Sequence, residues 1–177
     1  MIRVILSYMT FPGVVMHEFA HAWACRRMGV PVIKVCYLRF GNPAGYVLHE
    51  RPEHAVQHMV VAVAPFFIST FFALVVSAVA SALLASHILI AYHDLIMPAA
   101  LWLGFSIALH AFPSSGDADA LWDDVRRRDV GFCAKLLLVP VVGLIRLTGL
   151  GARVWLDALY AVCVVALPPL VLLSLKI

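Results

Sequence analysis

The chain contains few charged residues. Only 13% of its 177 residues are Asp, Glu, Lys or Arg, whereas soluble domains contain about 25%. No charged residue occurs between positions 59 and 86, and 63% of the chain is hydrophobic. This composition argues against a soluble enzyme, a disordered protein and a nucleic-acid-binding protein. It indicates a polytopic membrane protein whose surroundings are the lipid bilayer.

Cysteine pairs are also missing. The chain has four widely spaced cysteines and no CxxC pair. They are therefore expected to act as small hydrophobic residues, and we predict neither a disulfide framework nor a thiolate zinc site. Internal repeats and low-complexity tracts are absent as well, so we expect one domain over residues 1–177.

Five apolar segments predict an all-α fold with about five transmembrane helices. We expect Pro12-Gly13 to bend the first of them. Segment 132–147 has Pro140 in its middle and fits either a short span or a membrane-surface helix. Residues 1–130 would form a core with three spans, and residues 131–177 a C-terminal helical hairpin. The five segments are 2–25, 59–86, 95–112, 132–147 and 154–175.

The loops predict a hairpin and an orientation. The segment 32–49 has β-branched and aromatic runs on both sides of Gly41-Asn42-Pro43, which predicts a β-hairpin at the membrane surface. Lys and Arg are concentrated around 26–54 and 113–131, and none occurs in 87–94. The positive-inside rule then places the N-terminus outside and the two basic loops in the cytoplasm. With five spans, Lys176 also lies inside.

The sequence His17-Glu18-Phe19-Ala20-His21 is an HExxH motif within the first predicted helix. Residues four apart share a helix face, so both imidazoles can bind one Zn²⁺ ion and Glu18 can act as general base. Composition alone gives this pattern in roughly one of two hundred such chains. Ionisable side chains cost about 2.5–3.5 kcal/mol each at the centre of a membrane helix. Three of them within five residues need a compensating partner, and we expect one zinc ion per chain.

Two histidines leave a zinc site incomplete, because catalytic zinc usually takes three protein ligands. Cys25 lies about 12 Å from His17 along the helix axis, which is too far. Asp117 and Asp119 follow a helix-breaking Pro-Ser-Ser-Gly and begin a new helical run. Capping of that helix would explain either acid on its own. Beside an incomplete zinc site we expect Asp117 as the third ligand, with Asp119 as the alternative.

Three further histidines, His49, His54 and His58, lie near the loop after the predicted hairpin. His54 and His58 have helical spacing, so a second metal site is one interpretation. Ordinary polar residues at the membrane interface are the simpler interpretation.

Together these features resemble the site-2 protease family of intramembrane zinc metalloproteases. The resemblance rests on an HExxH in a first membrane helix, a surface hairpin, an Ala-Pro element early in the next span and a distal helix-breaking segment with an Asp. These elements lie at 17–21, 32–49, 63–65 and 110–117. His110 stands where the family has an Asn that holds the substrate backbone, and Gly-Asp-Ala-Asp replaces the family's Leu-Asp-Gly. The chain therefore looks like a minimal, divergent member.

The resemblance implies a single membrane metalloprotease domain that cleaves a membrane-embedded or membrane-proximal protein substrate on the cytoplasmic side. It implies His17, His21 and Asp117 as zinc ligands and Glu18 as the catalytic base. His110 would bind substrate by donating a hydrogen bond to its backbone or to the oxyanion. A CAAX-type processing enzyme is disfavoured because its acidic and His motifs are not visible. An inactive zinc-binding membrane scaffold, a pseudoprotease, is the alternative. The sequence specifies no oligomeric state.

Overall fold

A computed structural model describes residues 2–85, 93–127 and 130–175 of the chain, and most of these residues are helical. Two short strands, β1 (Val32–Cys36) and β2 (Tyr46–His49), form an antiparallel pair. The predominantly helical fold and the hairpin predicted over 32–49 are thereby confirmed. The helices are α1 (Ile2–Met9), α2 (Phe11–Arg27), α3 (Ala55–Ala85), α4 (His93–Leu109), α5 (Ser115–Arg126), α6 (Phe132–Gly151) and α7 (Leu156–Ser174).

Three helices in the described part of the chain are long and apolar enough to cross a membrane. They are α3, α7, and α6 together with the short 3₁₀ turn Ala152–Val154 that continues it. Helix α4 is also apolar but has only 17 residues. These helices support a membrane protein. Lys176 and most of the loop 87–94, on which the predicted orientation partly depends, lie outside the described residues.

The first predicted helix, residues 2–25, is divided into two helices. Thr10 separates α1 from α2 and has φ −112° and ψ 36°, outside the helical region. Its hydroxyl donates to the Leu6 carbonyl at 2.7 Å. Pro12 lies in the first turn of α2 and has no N–H to donate to the carbonyl of Tyr8, four residues earlier. The prediction of a bend at Pro12-Gly13 was therefore wrong in position, since the helix breaks at Thr10.

Helix α3 is central to the bundle and packs against α2, α4 and α7. Its buried positions are mostly small residues, including Ser69, Ala73, Ser77 and Ala80. Small side chains let neighbouring helices approach closely, as membrane helices commonly do. Helix α7 packs on α3 and α4, whereas α6 packs mainly on α5. The two helices of the predicted C-terminal hairpin therefore lie chiefly against different partners.

The β-hairpin is tied to the start of the chain. The Tyr8 hydroxyl donates to the Gly41 carbonyl at 3.1 Å and accepts from the Gly41 N–H at 2.6 Å. At the other end of the same loop, Gly45 lies against α2, because a Cβ built on it would be 2.7 Å from Cγ of Glu18. The hairpin loop therefore lies over the HExxH segment.

Candidate metal centre

The two histidines of the HExxH motif lie one turn apart on α2 with their rings in contact. The ring centroids of His17 and His21 are 4.8 Å apart, and their Nε2 atoms are 3.2 Å apart. Helical spacing alone places the rings on one face, and the bonds described next fix how they are turned. Both side chains thus direct the same ring nitrogen to one point.

Main-chain carbonyls orient both rings. The Nδ1 of His17 bonds to the His110 carbonyl at 2.7 Å, and the Nδ1 of His21 bonds to the Val61 carbonyl at 2.9 Å. A carbonyl oxygen only accepts, so each Nδ1 carries the hydrogen and donates it. In the neutral rings, both Nε2 atoms then present lone pairs to each other. This is the usual arrangement of metal-binding histidines, whose second nitrogen donates to a carbonyl or carboxylate.

Asp117 brings a carboxylate oxygen to the same point. Its Oδ1 lies 3.5 Å from Nε2 of His21. Its Oδ2 accepts from the Ser114 N–H and hydroxyl, each at 2.7 Å, and the Asp117 N–H donates to the Ser114 hydroxyl in a capping box at the start of α5. Helix capping and approach to the histidines are therefore compatible, because each uses a different carboxylate oxygen.

Electrostatics keep Asp117 ionised. Burial alone would raise its pKa, but the adjacent imidazoles and the hydrogen bonds from Ser114 outweigh burial and hold the pKa well below its usual range. When the two Nε2 atoms carry no hydrogen, three acceptor atoms, two imidazole nitrogens and one carboxylate oxygen, converge. Lone pairs that face each other at this range repel unless a cation, either a proton or a metal ion, lies between them.

The two separations measured from Nε2 of His21, to His17 and to Asp117, fit a zinc ion. The candidate ligand atoms of His17, His21 and Asp117 all lie within 4.8 Å of one another. Zinc binds such atoms at about 2.0–2.2 Å, so tetrahedral neighbours are about 3.3 Å apart. The observed 3.2 Å and 3.5 Å separations are close to that value. Two imidazoles and one carboxylate are also a donor set found in catalytic zinc sites.

Glu18 lies beside the three donors and is 8% exposed. It borders a cavity of about 730 Å³, which also reaches His17 and His110. The walls of this cavity come from α2, the hairpin loop 42–45, the segment 109–115 and the carboxyl-terminal part of α6. A carboxylate next to three potential ligand atoms, facing a cavity of this volume, is suitably placed to exchange a proton with a bound substrate.

Asp119, the alternative third ligand, and Cys25, which the sequence analysis rejected, have different surroundings. The Asp119 side chain is 72% exposed, and its Oδ1 accepts from Arg146 at 3.2 Å. Cys25 is fully buried in an apolar cluster with Val30 and Val61. Of the two acids that the sequence left open, Asp117 is therefore the one beside the histidines.

The His110 side chain borders the cavity, but its hydrogen bonding differs from the prediction. The hydroxyl of Thr10 donates to Leu6, so at 2.8 Å it accepts from Nε2 of His110. The neutral ring is left with Nδ1 as an acceptor. A donor to the oxyanion, as predicted, is not available from this tautomer. Contact with substrate remains a prediction, and the role that fits is acceptance from a substrate N–H.

Of the three histidines after the hairpin, His58 belongs to an ion-pair cluster. His58 and Asp124 are buried, and Nδ1 of His58 donates to Oδ2 of Asp124 at 2.7 Å. Arg51 donates to the other oxygen of the same carboxylate at 2.5 Å. Burial would raise the pKa of Asp124, but these two partners hold it below its usual value. Within the described residues, metal-ligand geometry occurs only at His17, His21 and Asp117, so the second metal site is not supported.

Sequence reasoning did not identify three contributors to the site. Val61 and His110 act through main-chain carbonyls, which residue types do not reveal, and Ser114 acts by capping α5. Asp124 was unremarkable in sequence but joins α5 to both the end of the hairpin and the start of α3.

No protein-family model, curated protein or solved structure matches this chain. A functional assignment therefore depends on the residues and their geometry.

Proposed function

We propose that this chain is a zinc-dependent intramembrane endopeptidase, a minimal and divergent member of the site-2 protease family. The observation that carries the proposal is the convergence of three lone-pair donors beside a cavity-facing glutamate. His17, His21 and Asp117 would hold one zinc ion per chain. The substrate would be a membrane-embedded or membrane-proximal protein.

The chemistry follows from the roles that these residue types can fill. Zinc, when bound, supplies Lewis-acid polarisation of a peptide carbonyl and lets water attack near neutral pH. The Glu18 carboxylate accepts the proton of the attacking water and returns it to the nitrogen of the leaving amine. The carbonyls of Val61 and His110 keep both imidazoles in one tautomer and orientation, so the rings need no rearrangement during hydrolysis.

The hairpin offers a means of holding the substrate. A helix in lipid has all its amides paired, so a segment must unwind before one of its peptide bonds can be hydrolysed. An unwound segment can add as a strand to an exposed sheet edge. The sheet of β1 and β2 has only two strands, and the loop between them reaches Glu18 at Gly45. Substrate added there would lie next to the proposed base.

We further infer five membrane segments with the N-terminus outside and the hairpin and α5 towards the cytoplasm. Basic residues gather at one end of the bundle. Arg26 and Arg27 end α2, and Arg51 pairs with Asp124 near the end of α5. Gln57 at the start of α3 donates to the Met28 carbonyl at this same end. A basic end of this kind fits the positive-inside rule.

The test is Glu18→Gln in protein purified and reconstituted into vesicles with a pool of single-span membrane peptides. Cleavage is read by mass spectrometry and zinc by metal analysis. We expect about one zinc per chain in both proteins, with cleavage slowed by about 10²–10⁴-fold in the variant. Glu53→Gln is the matched control, since Glu53 is exposed, and it should cleave normally.

The alternative, a catalytically inactive zinc-binding scaffold, makes a different prediction for the same experiment. It expects bound zinc and no cleavage in wild type, Glu18→Gln and Glu53→Gln alike. Wild-type protein that binds no zinc would refute both functions.

A further inference from the structure

The Val61 carbonyl, which holds the His21 ring, belongs to the interior of α3. Carbonyls inside a helix normally accept from the N–H four residues later. A carbonyl engaged in that way is a poorer partner for a side chain, and the interior of a 31-residue helix is an unusual source of one. Some local feature must make this oxygen available.

That feature is Pro65, which lies four residues after Val61 within α3. Proline has no N–H, so the helical partner of the Val61 carbonyl is missing. The pyrrolidine ring also crowds the carbonyl four residues before it and turns it away from the helix axis. Pro65 is fully buried, and the oxygen that it frees accepts from Nδ1 of His21 at 2.9 Å.

Packing around this point fixes the distance between the two helices. Cys25 and Ala24 of α2 form a buried cluster with Val61 and Ala64 of α3. The cluster lies one turn from His21 along α2 and includes the residue that bears the carbonyl. The helices are therefore held together where the ring and the carbonyl meet.

The His17 ring also bonds to a carbonyl that lacks a helical partner, but here the carbonyl follows the end of a helix. His110 comes directly after α4, which ends at Leu109, and the last carbonyls of a helix lack intrahelical partners. Its fourth neighbour, Ser114, gives its N–H to Asp117 instead. Each imidazole thus bonds to a carbonyl that an interruption of the helical ladder has released.

We propose that Pro65 is a positioning residue of the metal centre. By leaving the Val61 carbonyl without a helical N–H, it makes that oxygen available to hold His21 with Nδ1 protonated and Nε2 directed at the metal. This inference rests on the proposed function, because it concerns a ligand of the proposed zinc ion.

The test restores the missing N–H in two ways, with Pro65→Ala and Pro65→Val. The valine variant retains more of the buried volume, so an effect shared by both variants comes from the N–H and not from a cavity. Zinc affinity is measured by competition with a chromophoric chelator. We expect a loss of about 10–100-fold in both variants, the range typical for removal of a partner that orients a metal ligand.

Pro140→Ala is the matched control. Pro140 is also inside a helix, but the carbonyl four residues earlier belongs to Leu136, an exposed residue of α6. This variant should bind zinc like wild type.

A second measurement keeps the inference separate from zinc binding. Nitrogen-15 NMR of imidazole-labelled, metal-free protein reports which nitrogen of His21 carries the hydrogen. We expect Nδ1–H in wild type and in Pro140→Ala, and loss of that preference in both Pro65 variants. Unchanged zinc affinity in both Pro65 variants, or a wild-type His21 with Nδ1 unprotonated, would overturn the inference. If wild type binds no zinc, and the Nδ1–H preference of His21 is present in wild type but lost in both Pro65 variants, the proposed function is refuted while the role of Pro65 in orienting the ring is supported.

Discussion

Substitution of Gly13 by alanine provides a sharp test of how closely α2 and α4 must pack to build the site. A Cβ at Gly13 would lie 2.6 Å from Cδ2 of His110 and closer still to the Ser106 carbonyl oxygen. Ordinary contact begins near 3.4 Å. The His110 ring must therefore retreat by about 0.8 Å, and the α4 backbone at Ser106 by more.

This displacement has two consequences. Overpacking of this kind costs about 1–3 kcal/mol, which lowers the Tm of a chain of this length by roughly 2–12 °C. Gly13 also lies one turn before His17, so α4 moves away from the ring that its end holds. The bond from Nδ1 of His17 to the His110 carbonyl would lengthen from 2.7 Å to about 3.5 Å, where it contributes little.

The measurements are thermal unfolding in detergent micelles and zinc content after dialysis. Gly143→Ala is the matched control, because Gly143 is also helical and a Cβ there meets nothing within 4 Å. That control should be neutral or gain about 0.5–1 kcal/mol of stability, since alanine favours helix. The reasoning fails if Gly13→Ala unfolds at the wild-type temperature and retains full zinc.

Two further predictions concern acidic residues of α5. Asp117→Asn should reduce bound zinc well below one per chain, whereas Asp119→Asn should leave it unchanged; metal analysis that finds equal zinc in both variants would contradict the assigned third ligand. Asp124 has a pKa below its ordinary 3.8 in the folded protein, so its stabilisation is present above about pH 4 and is lost as pH falls through the lower, folded value. Thermal unfolding from pH 7 to pH 3 should show this loss in wild type. Asp124→Asn should have a lower Tm at pH 7, and its Tm should fall less than that of wild type as the pH is lowered.

The fold could be predicted where the signal is local. The β-branched and aromatic runs of 32–49, with the turn residues between them, predicted the hairpin, and the uncharged stretch 59–86 corresponds to α3 at Ala55–Ala85. The bend was predicted at Pro12-Gly13, but the helix breaks at Thr10. A proline removes the backbone hydrogen bond to the carbonyl four residues earlier, so its effect appears upstream of the proline itself. Which helices pack against α6 and α7 depends on non-local contacts that no short window contains.

The candidate site could likewise be predicted where its signal is local. The HExxH spacing is a property of one helix, so the sequence alone places His17 and His21 on one face. The choice between Asp117 and Asp119 depends on which of two acids caps α5, and therefore on where that helix begins. Here the Ser114 N-cap fixes Asp117 as the third helical residue. Sequence-based reasoning treated capping and metal binding as competing explanations, but one carboxylate serves both through different oxygens.

The residues that orient the candidate metal ligands also hold the helices around them together. Membrane helices cannot rely on a hydrophobic driving force to bring them together, so contacts between them depend on small residues and polar bonds. Each imidazole of α2 donates a hydrogen bond from Nδ1 to a different neighbour. His17 donates to the carbonyl that follows α4, and His21 donates to a carbonyl in the interior of α3. The two bonds that orient the rings are thus also bonds between helices. A variant that loosens α2 from either neighbour should consequently weaken metal binding even where no ligand has been touched, which is the shared basis of the Gly13 and Pro65 predictions.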